Sequence, residues 1–143
     1  MDTEERFNLV KRNTQEILTE AELKQLLEQK KQPKGYIGLA TTGKIHIGYF
    51  IPMMKVGDFL KAGFKFTILL ADIHAHLDDQ KTPFELLDYR VKYYREIISA
   101  MISSLGVSTQ NLEFKKGSDF QLDRNYTLDV YKLAALNTFD RCK

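Results

Sequence analysis

The sequence predicts an α/β fold in which helices flank a parallel sheet of about three strands. Short apolar runs alternate along the chain with longer segments whose apolar residues recur at helical spacing. The resulting order of strand, helix, strand, helix, strand, helix is typical of parallel sheets with right-handed crossovers. Because a doubly wound sheet usually has roughly five or six strands, three strands indicate an incomplete sheet.

Length and composition indicate one soluble globular unit. The 143 residues suffice for the core of a single domain, and 43% of them are hydrophobic and 28% charged. The net charge of +2 is too small to indicate nucleic-acid binding by itself. The single Cys142 fits a reducing compartment. No apolar run approaches the roughly 20 residues of a membrane span, and no signal peptide is recognisable, so we expect a cytoplasmic protein without membrane contact.

Residues 1–35 predict an N-terminal helical hairpin. Residues 4–18 have a helical apolar face. Thr19 and Glu22 have the spacing of a capping box that opens a second helix. The polar stretch 29–35 contains proline and glycine and predicts a loop, so we expect 1–35 to be an extension ahead of the sheet. The inner face of the second helix is expected to consist of Leu23, Leu26 and Leu27.

Three segments predict the strands. Residues 36–40 form the first, and a glycine-containing turn follows it. Residues 66–71 are nearly continuous apolar sequence, as expected of a central parallel strand that is buried on both faces. Residues 112–116 predict the third strand.

Three longer helices are expected after these strands. The first is predicted over 47–62, with Pro52 near its first turn and Gly63 at its end. The segment 82–85 opens the second with a threonine cap, a proline at the first helical position and a reciprocal glutamate. The third is predicted over 126–140. The second helix ends at Gly106 and carries an apolar stripe that indicates core packing: Phe84, Leu87, Val91, Tyr94, Ile98, Met101 and Leu105.

The end of the chain lacks the signals that normally close a helix. The last predicted helix reaches Lys143 without a glycine cap, a proline or a polar tail. Together with the small number of strands, this leads us to expect that 36–143 form the N-terminal half of a Rossmann-type domain. The chain is then either a piece of a longer protein or an unusually short relative.

Polar stretches follow all three predicted strands, over residues 41–48, 72–76 and 117–121. Ligands of open α/β sheets bind outside the carboxyl ends of the strands, so we expect the three stretches to converge into one site. Each stretch taken alone also fits an ordinary polar loop.

The first stretch has the residue types that a nucleotide requires. Its glycines leave bare backbone for close approach, and amides at a helix N-terminus suit phosphate. His46 and Lys44 can stabilise charge on a transferring phosphate and are the candidate catalytic residues. Taken alone, His46 favours a buried structural histidine, but its hydroxyl, ammonium and amide neighbours favour adenylate formation from ATP. The candidate ATP-binding residues from the pattern are Thr41, Thr42, Gly43, His46 and Gly48.

We expect no protein-bound metal. His74 and His76 lie two apart on an apparent strand end, so their side chains should point in opposite directions. Cysteines or carboxylates with the spacing of zinc ligands are lacking. Asp72 is an available carboxylate at the carboxyl end of the second strand, whereas Asp78 and Asp79 are interpreted as loop or cap residues.

Several of these motifs resemble one family. The stretches 36–50, 69–75 and 117–122 are similar to the tyrosyl-tRNA synthetases of the archaeal and eukaryotic cytosolic type, as are 11–13 and 126–131. The likeness extends over nearly the whole chain. It implies a class I aminoacyl-tRNA synthetase that activates tyrosine with ATP and Mg²⁺ and transfers it to tRNA(Tyr), and whose full-length form is a homodimer.

The resemblance also implies roles for single residues. The run 46–49 occupies the place of a His-Ile-Gly-His signature, with Tyr49 at a position where eukaryotic members commonly vary. His46 would contact the ATP phosphates, Gly48 would back the adenosine, and Tyr49 would lie at the nucleotide. Tyr36 would hydrogen-bond the phenol of the substrate. The rest of the tyrosine pocket would be lined by Gly38, Leu69, Ala71, His74, Phe120 and Gln121.

The family's second ATP motif, of Lys-Met-Ser-Lys-Ser type, does not occur in these 143 residues. The resemblance therefore implies that the chain alone is inactive or weakly active. Three alternatives stay open: a tryptophanyl-tRNA synthetase, a non-catalytic synthetase fragment that acts as a binding or regulatory module, and a nucleotide-binding domain of unrelated function. Tyr36 and the segment 72–75 favour tyrosine over tryptophan.

Overall fold

A computed structural model of the chain describes residues 1–78 and 82–137. The described residues form an α/β fold with one sheet of three parallel strands, which confirms the predicted class. The strands are β1 (Lys34–Ala40), β2 (Lys65–Ala71) and β3 (Leu112–Lys116). The helices are α1 (Thr3–Lys11), α2 (Glu20–Gln29), α3 (Phe50–Lys61), α4 (Asp72–Leu77), α5 (Leu87–Ser104), α6 (Ser118–Gln121) and α7 (Arg124–Leu136).

The strands lie side by side in the order β1-β2-β3. The structure confirms β3 with the predicted bounds, whereas β1 begins two residues and β2 one residue earlier than expected. Ala40 lies opposite Ala71, and Leu70 lies opposite Lys116. The carboxyl ends of the three strands therefore meet at one edge of the sheet.

Among the described residues, the long helices cover one face of this sheet. The side chains of Phe66, Ile68 and Leu70 point from β2 into a core that α3 and α5 complete. In the part of the chain that the structure describes, the opposite face stays largely open, and Tyr36 there is 79% exposed. The expectation that β2 is buried on both faces is therefore wrong for these residues, because α3 and α5 pack against each other on the same side. The fully buried residues of the core cluster around β2 are Met53, Ile68, Leu70, Tyr94, Ile98 and Ile102.

The first helix is shorter than predicted. The structure ends α1 at Lys11 instead of residue 18, because Asn13 takes the left-handed conformation with a φ of 58°. Arg12 leaves the helix direction, and its Nε donates a hydrogen bond of 2.9 Å to the nearly buried carboxylate of Asp58 on α3.

The capping box lies elsewhere than expected. Thr19 precedes α2 without any side-chain hydrogen bond, so the predicted box with Glu22 is wrong. Asp2 and Glu5 form such a box at the start of α1, where their carboxylates accept backbone amide bonds of 2.8 and 2.9 Å. Phe7, Val10 and Leu27 of this helical pair form a second small core with Ala62 and Phe64, which follow α3. The division of the chain after residue 35 stays a prediction.

The helix predicted over 47–62 begins with a 3₁₀ turn at Ile47–Tyr49 and continues as α3. Pro52 lies in the first turn of α3, where its missing N–H costs no helical hydrogen bond. Gly63 has a φ of 87° and stops the helix as predicted. Gly106 does the same after α5 with a φ of 66°.

The start of α5 differs from the prediction although its core stripe is confirmed. A 3₁₀ turn at Phe84–Leu86 precedes the helix, and Thr82 does not cap it. The Oγ1 atom of Thr82 instead donates a hydrogen bond of 3.0 Å to the carbonyl oxygen of Thr41. Phe84 is 60% exposed and so falls outside the stripe, whereas Leu87, Val91, Tyr94 and Ile98 are buried.

Two short helices are absent from the sequence-based expectation. The segments after β2 and β3 were expected as loops or strand ends, but they turn directly into α4 and α6. Helix α7 begins two residues earlier than predicted, at Arg124, and ends at Leu136 instead of Asp140, because Asn137 takes an extended conformation. Over residues 1–78 and 82–137, no helix has the length and apolar character needed to cross a membrane.

Candidate active site

The polar stretches after β2 and β3 meet at the carboxyl edge of the sheet, as expected. The carboxylate of Asp72 accepts hydrogen bonds of 2.9 Å from the amide and 2.6 Å from the hydroxyl of Ser118. The amide of Gly117 donates to the carbonyl oxygen of Leu70 over 2.9 Å. Since Ala40 and Ala71 lie opposite each other, the stretch that begins at Thr41 starts beside Asp72.

Asp72 joins the strand ends and is not an available carboxylate. It is only 1% exposed, and its Oδ2 atom lies 3.7 Å from the ammonium of Lys116. Lys116 donates a hydrogen bond of 2.5 Å to Asp88 on α5. The hydrogen bond to Asp88 is the main reason why the pKa of Lys116 is raised above its ordinary value, and the negative charge of Asp72 raises this pKa further. Asp72 therefore serves to hold β2, β3 and α5 together.

Two consecutive tyrosines of α5 hold the turn between β1 and α3. The hydroxyl of Tyr94 accepts a hydrogen bond of 3.3 Å from the amide of Gly43, and the hydroxyl of Tyr93 accepts one of 3.2 Å from the amide of Ile45. The hydroxyls of Tyr94 and Tyr49 lie 3.3 Å apart. Burial, and then the hydrogen bond with Tyr49, raise the pKa of Tyr94 to about 12. The expectation of free amides in this stretch is thus wrong for Gly43 and Ile45.

His46 stands at the N-terminus of the 3₁₀ turn, as predicted, and is exposed. This excludes the alternative of a buried structural histidine. Its Nδ1 atom accepts a hydrogen bond of 3.2 Å from the amide of Gly48. An accepting Nδ1 assigns the ring proton to Nε2. The imidazole therefore presents an N–H donor on the side away from the turn, and the edge of its ring contacts Tyr49 at a centroid distance of 5.2 Å.

Gly43 and Gly48 of this turn differ in whether their surroundings leave room for a side chain. A Cβ atom at Gly48 would lie 2.9 Å from Cε1 of His46, so the bare backbone makes room for the histidine ring. A Cβ atom at Gly43 would meet no atom within 4 Å, and its φ does not require glycine. The turn as such therefore does not explain Gly43, contrary to the sequence-based interpretation.

Two buried polar atoms at this edge lack partners among the described residues. They are Oγ1 of Thr41, which is fully buried, and Oε1 of Gln121. Gln121 belongs to α6, and its Oε1 approaches Gly117 so closely that a Cβ atom there would lie 2.7 Å away. Buried polar atoms of proteins are nearly always hydrogen-bonded. These two atoms are therefore candidates for contact with a ligand.

The open face of the sheet bears a cleft of about 370 Å³ that extends from the start of β1, at Lys34 and Gly35, to Phe120 of α6. Tyr36, Leu69 and Phe120 line it, so the structure brings together three predicted tyrosine-pocket residues from β1, β2 and α6. Gly38 lies opposite Leu69 in the strand register. Thr67 and Lys115 line the cleft as well and were not predicted. Their alternate position along β2 and β3 was the signal that could have indicated them.

The other predicted tyrosine-pocket residues, Gly38, Ala71, His74 and Gln121, do not line this cleft. Ala71 ends β2, and His74 is exposed on α4 without lining the cleft. The interpretation of His74 and His76 as strand residues is wrong, because the segment is helical. His76 is held by a hydrogen bond of 3.0 Å between Nδ1 and the carbonyl oxygen of Thr82 and packs on Phe84. Outside 79–81 and 138–143, no three metal-binding side chains converge.

A larger hollow of about 450 Å³ lies away from the carboxyl edge, between α3 and residues 105–107. Three of its four charged side chains, Arg12, Lys55 and Asp58, already bind one another or neighbouring backbone. Asp58 pairs with Arg12, and the ammonium of Lys55 donates to the carbonyl oxygen of Arg12 over 2.7 Å. Because these groups satisfy each other, the hollow is a weaker candidate site than the cleft beside the polar strand ends.

An open parallel sheet with a histidine-bearing turn at its carboxyl edge is typical of nucleotide-dependent α/β enzymes. Residues 28–142 match the family of class I tRNA synthetases for tryptophan and tyrosine, and the chain belongs to this family. It is 53% identical over 138 residues to the cytoplasmic tyrosine–tRNA ligase of Danio rerio, covering 96% of this chain and 26% of that protein. It is 51% identical over 141 residues to the tyrosine–tRNA ligase of Haloarcula marismortui, covering 99% of this chain and 40% of that protein.

Solved structures agree with the sequence relatives. The tyrosyl-tRNA synthetase of Archaeoglobus fulgidus, complexed with L-tyrosine, superposes with a TM-score of 0.85 at 39% identity and covers 98% of this chain and 42% of its own. The tryptophanyl-tRNA synthetase of Plasmodium falciparum has a TM-score of 0.69 and 17% identity over 97% of this chain and 39% of its own, which shows the shared fold alone. The chain thus spans less than half the length of these relatives.

Proposed function

We propose that this chain is the N-terminal catalytic part of a tyrosine–tRNA ligase, which activates tyrosine with ATP and transfers it to tRNA(Tyr). The observation that carries the proposal is the cleft in which Tyr36 of β1, Leu69 of β2 and Phe120 of α6 meet on the open face of the sheet. The names of the tyrosine–tRNA ligases that resemble the chain support it. Some of these relatives are named as cytoplasmic, which supports the same location for the whole protein.

The cleft is proposed to hold the tyrosine substrate. The exposed hydroxyl of Tyr36 can hydrogen-bond the substrate phenol, and Gly38 leaves the sheet face free beside Leu69. Oε1 of Gln121 is a buried acceptor that suits an ammonium or hydroxyl donor of the substrate. Phe120 supplies an aromatic wall, with Ala71 at the strand end and His74 on the adjoining helix as further contacts.

The turn after β1 is proposed to bind ATP, the second substrate. The Nε2–H group of His46 and the side chains of Lys44 and Thr42 can donate to phosphate oxygens as negative charge builds up during adenylate formation. The buried hydroxyl of Thr41 can contribute once a ligand supplies its partner. The open space at Gly43 admits the nucleotide, and Gly48 and Tyr49 complete the set. Mg²⁺ is proposed to arrive with ATP, without a dedicated ligand from this chain.

The whole protein is proposed to be a homodimer that binds tRNA(Tyr). Transition-state stabilisation requires donors on several sides of the transferring phosphate, and the 143 residues lack the lysine-rich second motif of the family. We therefore propose that the chain alone binds its small substrates but activates tyrosine weakly or not at all.

Thermal melting of the chain with each ligand tests the substrate assignment. A ligand at 100 times its Kd adds about 2.7 kcal/mol to the free energy of unfolding, so tyrosine and ATP should each raise the melting temperature. The change Tyr36→Phe should reduce the tyrosine effect and spare that of ATP, because only the phenol contact is lost. Tryptophan is the control ligand and should have little effect.

Three outcomes would contradict the assignment. A shift with ATP but none with tyrosine would indicate an unrelated nucleotide-binding domain. A larger shift with tryptophan than with tyrosine would indicate that tryptophan is the substrate. Equal loss of both effects in Tyr36→Phe would mean that the pocket is placed wrongly.

A further inference from the structure

The packing of α5 against the core does not require the hydroxyl groups of Tyr93 and Tyr94. The ring of Tyr94 is fully buried among apolar side chains, a position that phenylalanine would fill as well. A buried hydroxyl costs free energy unless it is hydrogen-bonded. Its partners are the amide of Gly43 and the hydroxyl of Tyr49. Both partners belong to the turn that carries His46, so the hydroxyl acts on that turn.

Tyr93, the preceding residue of α5, makes a similar hydrogen bond to the same turn, nearer the surface. Its hydroxyl accepts from the amide of Ile45, two residues beyond Gly43. The two bonds flank Lys44, whose own amide has no hydrogen-bond acceptor within the described ranges. The segment 43–45, which has no helical hydrogen bonds, is thus held by α5 at the amides of Gly43 and Ile45. The amide of Lys44 between them stays available.

The second contact of Tyr94 leads to the histidine itself. The hydroxyls of Tyr94 and Tyr49 are 3.3 Å apart, and their rings meet edge-on at a centroid distance of 6.0 Å. The Tyr49 ring in turn contacts His46 at 5.2 Å. Tyr94 therefore constrains the ring against which His46 packs, besides the backbone that precedes it.

We propose that Tyr93 and Tyr94 are positioning residues that hold the turn of residues 41–49 in the geometry that binds ATP. They act through Gly43, Ile45 and Tyr49 and do not touch the nucleotide. Donors that are fixed before the ligand arrives bind a developing charge more strongly than donors that must reorganise. The inference rests on the proposed function for the identity of the ligand, and on the hydrogen bonds of the structure for the role of the two hydroxyls.

The variants Tyr93→Phe, Tyr94→Phe and their combination test this role in the 143-residue chain. Titration calorimetry gives the Kd of ATP and of tyrosine, and amide hydrogen exchange gives the protection of Gly43 and Ile45. We expect the double variant to bind ATP about tenfold more weakly and tyrosine within about twofold of wild type. Exchange at both amides should become faster. Tyr89→Phe is the matched control, because Tyr89 lies on the same helix and its side chain is exposed.

Each contrary outcome has its own meaning. Unchanged ATP affinity in the double variant would overturn the inference alone, and so would unchanged exchange at Gly43 and Ile45. Equal weakening of ATP and tyrosine would show a merely structural role and would also overturn it. Absence of ATP binding in the wild-type chain would overturn the proposed function itself. Should Tyr94→Phe fail to fold, the single variant Tyr93→Phe, whose hydroxyl lies near the surface, still decides the matter.

Discussion

At the scale of single residues, the two glycines of β1 have opposite surroundings. A Cβ atom at Gly35 would lie 2.9 Å from Cε2 of Phe66 in the core. One at Gly38 would meet only Cδ2 of Leu69, at an ordinary contact distance of 4.0 Å on the open face. The fold therefore requires glycine at Gly35 but tolerates alanine at Gly38, where only the proposed substrate needs the space.

The change Gly38→Ala should leave stability nearly unaltered and weaken tyrosine binding. We expect the free energy of unfolding to stay within about 0.5 kcal/mol of wild type, since no atom is displaced. The added methyl group stands in the proposed pocket and should reduce the melting shift that tyrosine causes. Gly35→Ala is the control and should destabilise the chain by about 1–3 kcal/mol. A full tyrosine shift in Gly38→Ala would remove this residue from the pocket.

The sequence could indicate those residues of the candidate site whose type is itself unusual. His46 and Gly48 stood out because a histidine and a glycine at the start of a helix need an explanation, and the structure places them against each other. Tyr94 could not be recognised in the same way. Its ring fits the apolar stripe of α5, and the role of its hydroxyl depends on a turn about fifty residues earlier in the chain.

At the scale of elements, Arg6 of α1 fastens the ends of two other helices. Its Nε donates to the carbonyl oxygen of Ala62 at the end of α3, and Nη1 donates to that of Leu27 in the last turn of α2, both at 2.8 Å. The other bonds of the guanidinium go to the carbonyl oxygens of Lys30 and Lys31. A cation at helix C-termini meets unpaired carbonyls and the negative end of the helix dipole.

The change Arg6→Lys should lower the free energy of unfolding by about 2 kcal/mol, although the charge is kept. One ammonium cannot reach carbonyl oxygens on both sides as the planar guanidinium does. Urea unfolding measures the effect. The control Glu4→Gln removes an exposed pair with Lys24 at 3.5 Å and should cost no more than about 0.5 kcal/mol. A loss in Arg6→Lys as small as that of the control would show that α1 is held by its apolar contacts alone.

The elements that the sequence predicted well are those with a long or continuous pattern. The three strands and the long helix α5 were predicted within a few residues, because apolar runs and a stripe of helical spacing define them. Helices α4 and α6 have six and four residues, too few for a periodic pattern to emerge. The end of α1 was missed because it depends on the left-handed Asn13 and on the distant Asp58.

At the scale of the whole molecule, the buried hydroxyl of Tyr94 makes the stability of the fold depend on pH in the alkaline range. Burial, and then the hydrogen bond with Tyr49, raise the pKa of Tyr94 from its ordinary value of 10.0 to about 12 in the folded chain, while the amide of Gly43 and the charge of Arg90 act in the opposite direction. Between these values the unfolded chain has lost this proton and the folded chain retains it. Stability therefore falls as the pH rises through this window, and the contribution is fully present below pH 10.

Tyr94→Phe should accordingly flatten the decline of stability between pH 10 and 12 by up to about one proton. Urea unfolding at several pH values in this range measures the slope for the variant and the wild type. Tyr89→Phe, which removes an exposed hydroxyl from the same helix, should keep the wild-type slope. An unaltered slope in Tyr94→Phe would mean that the hydroxyl ionises equally well in the folded and unfolded chains.

The open face of the sheet has a thermodynamic consequence for the binding of tyrosine. Tyr36 and Phe120 expose 79% and 36% of their surface there, so the cleft holds water against aromatic rings. A ligand that replaces this water removes apolar surface from solvent, and the heat capacity change of binding is then negative. Binding of tyrosine becomes more exothermic as the temperature rises. The aromatic ring of the proposed substrate would form a second layer on strands whose opposite face the described helices cover.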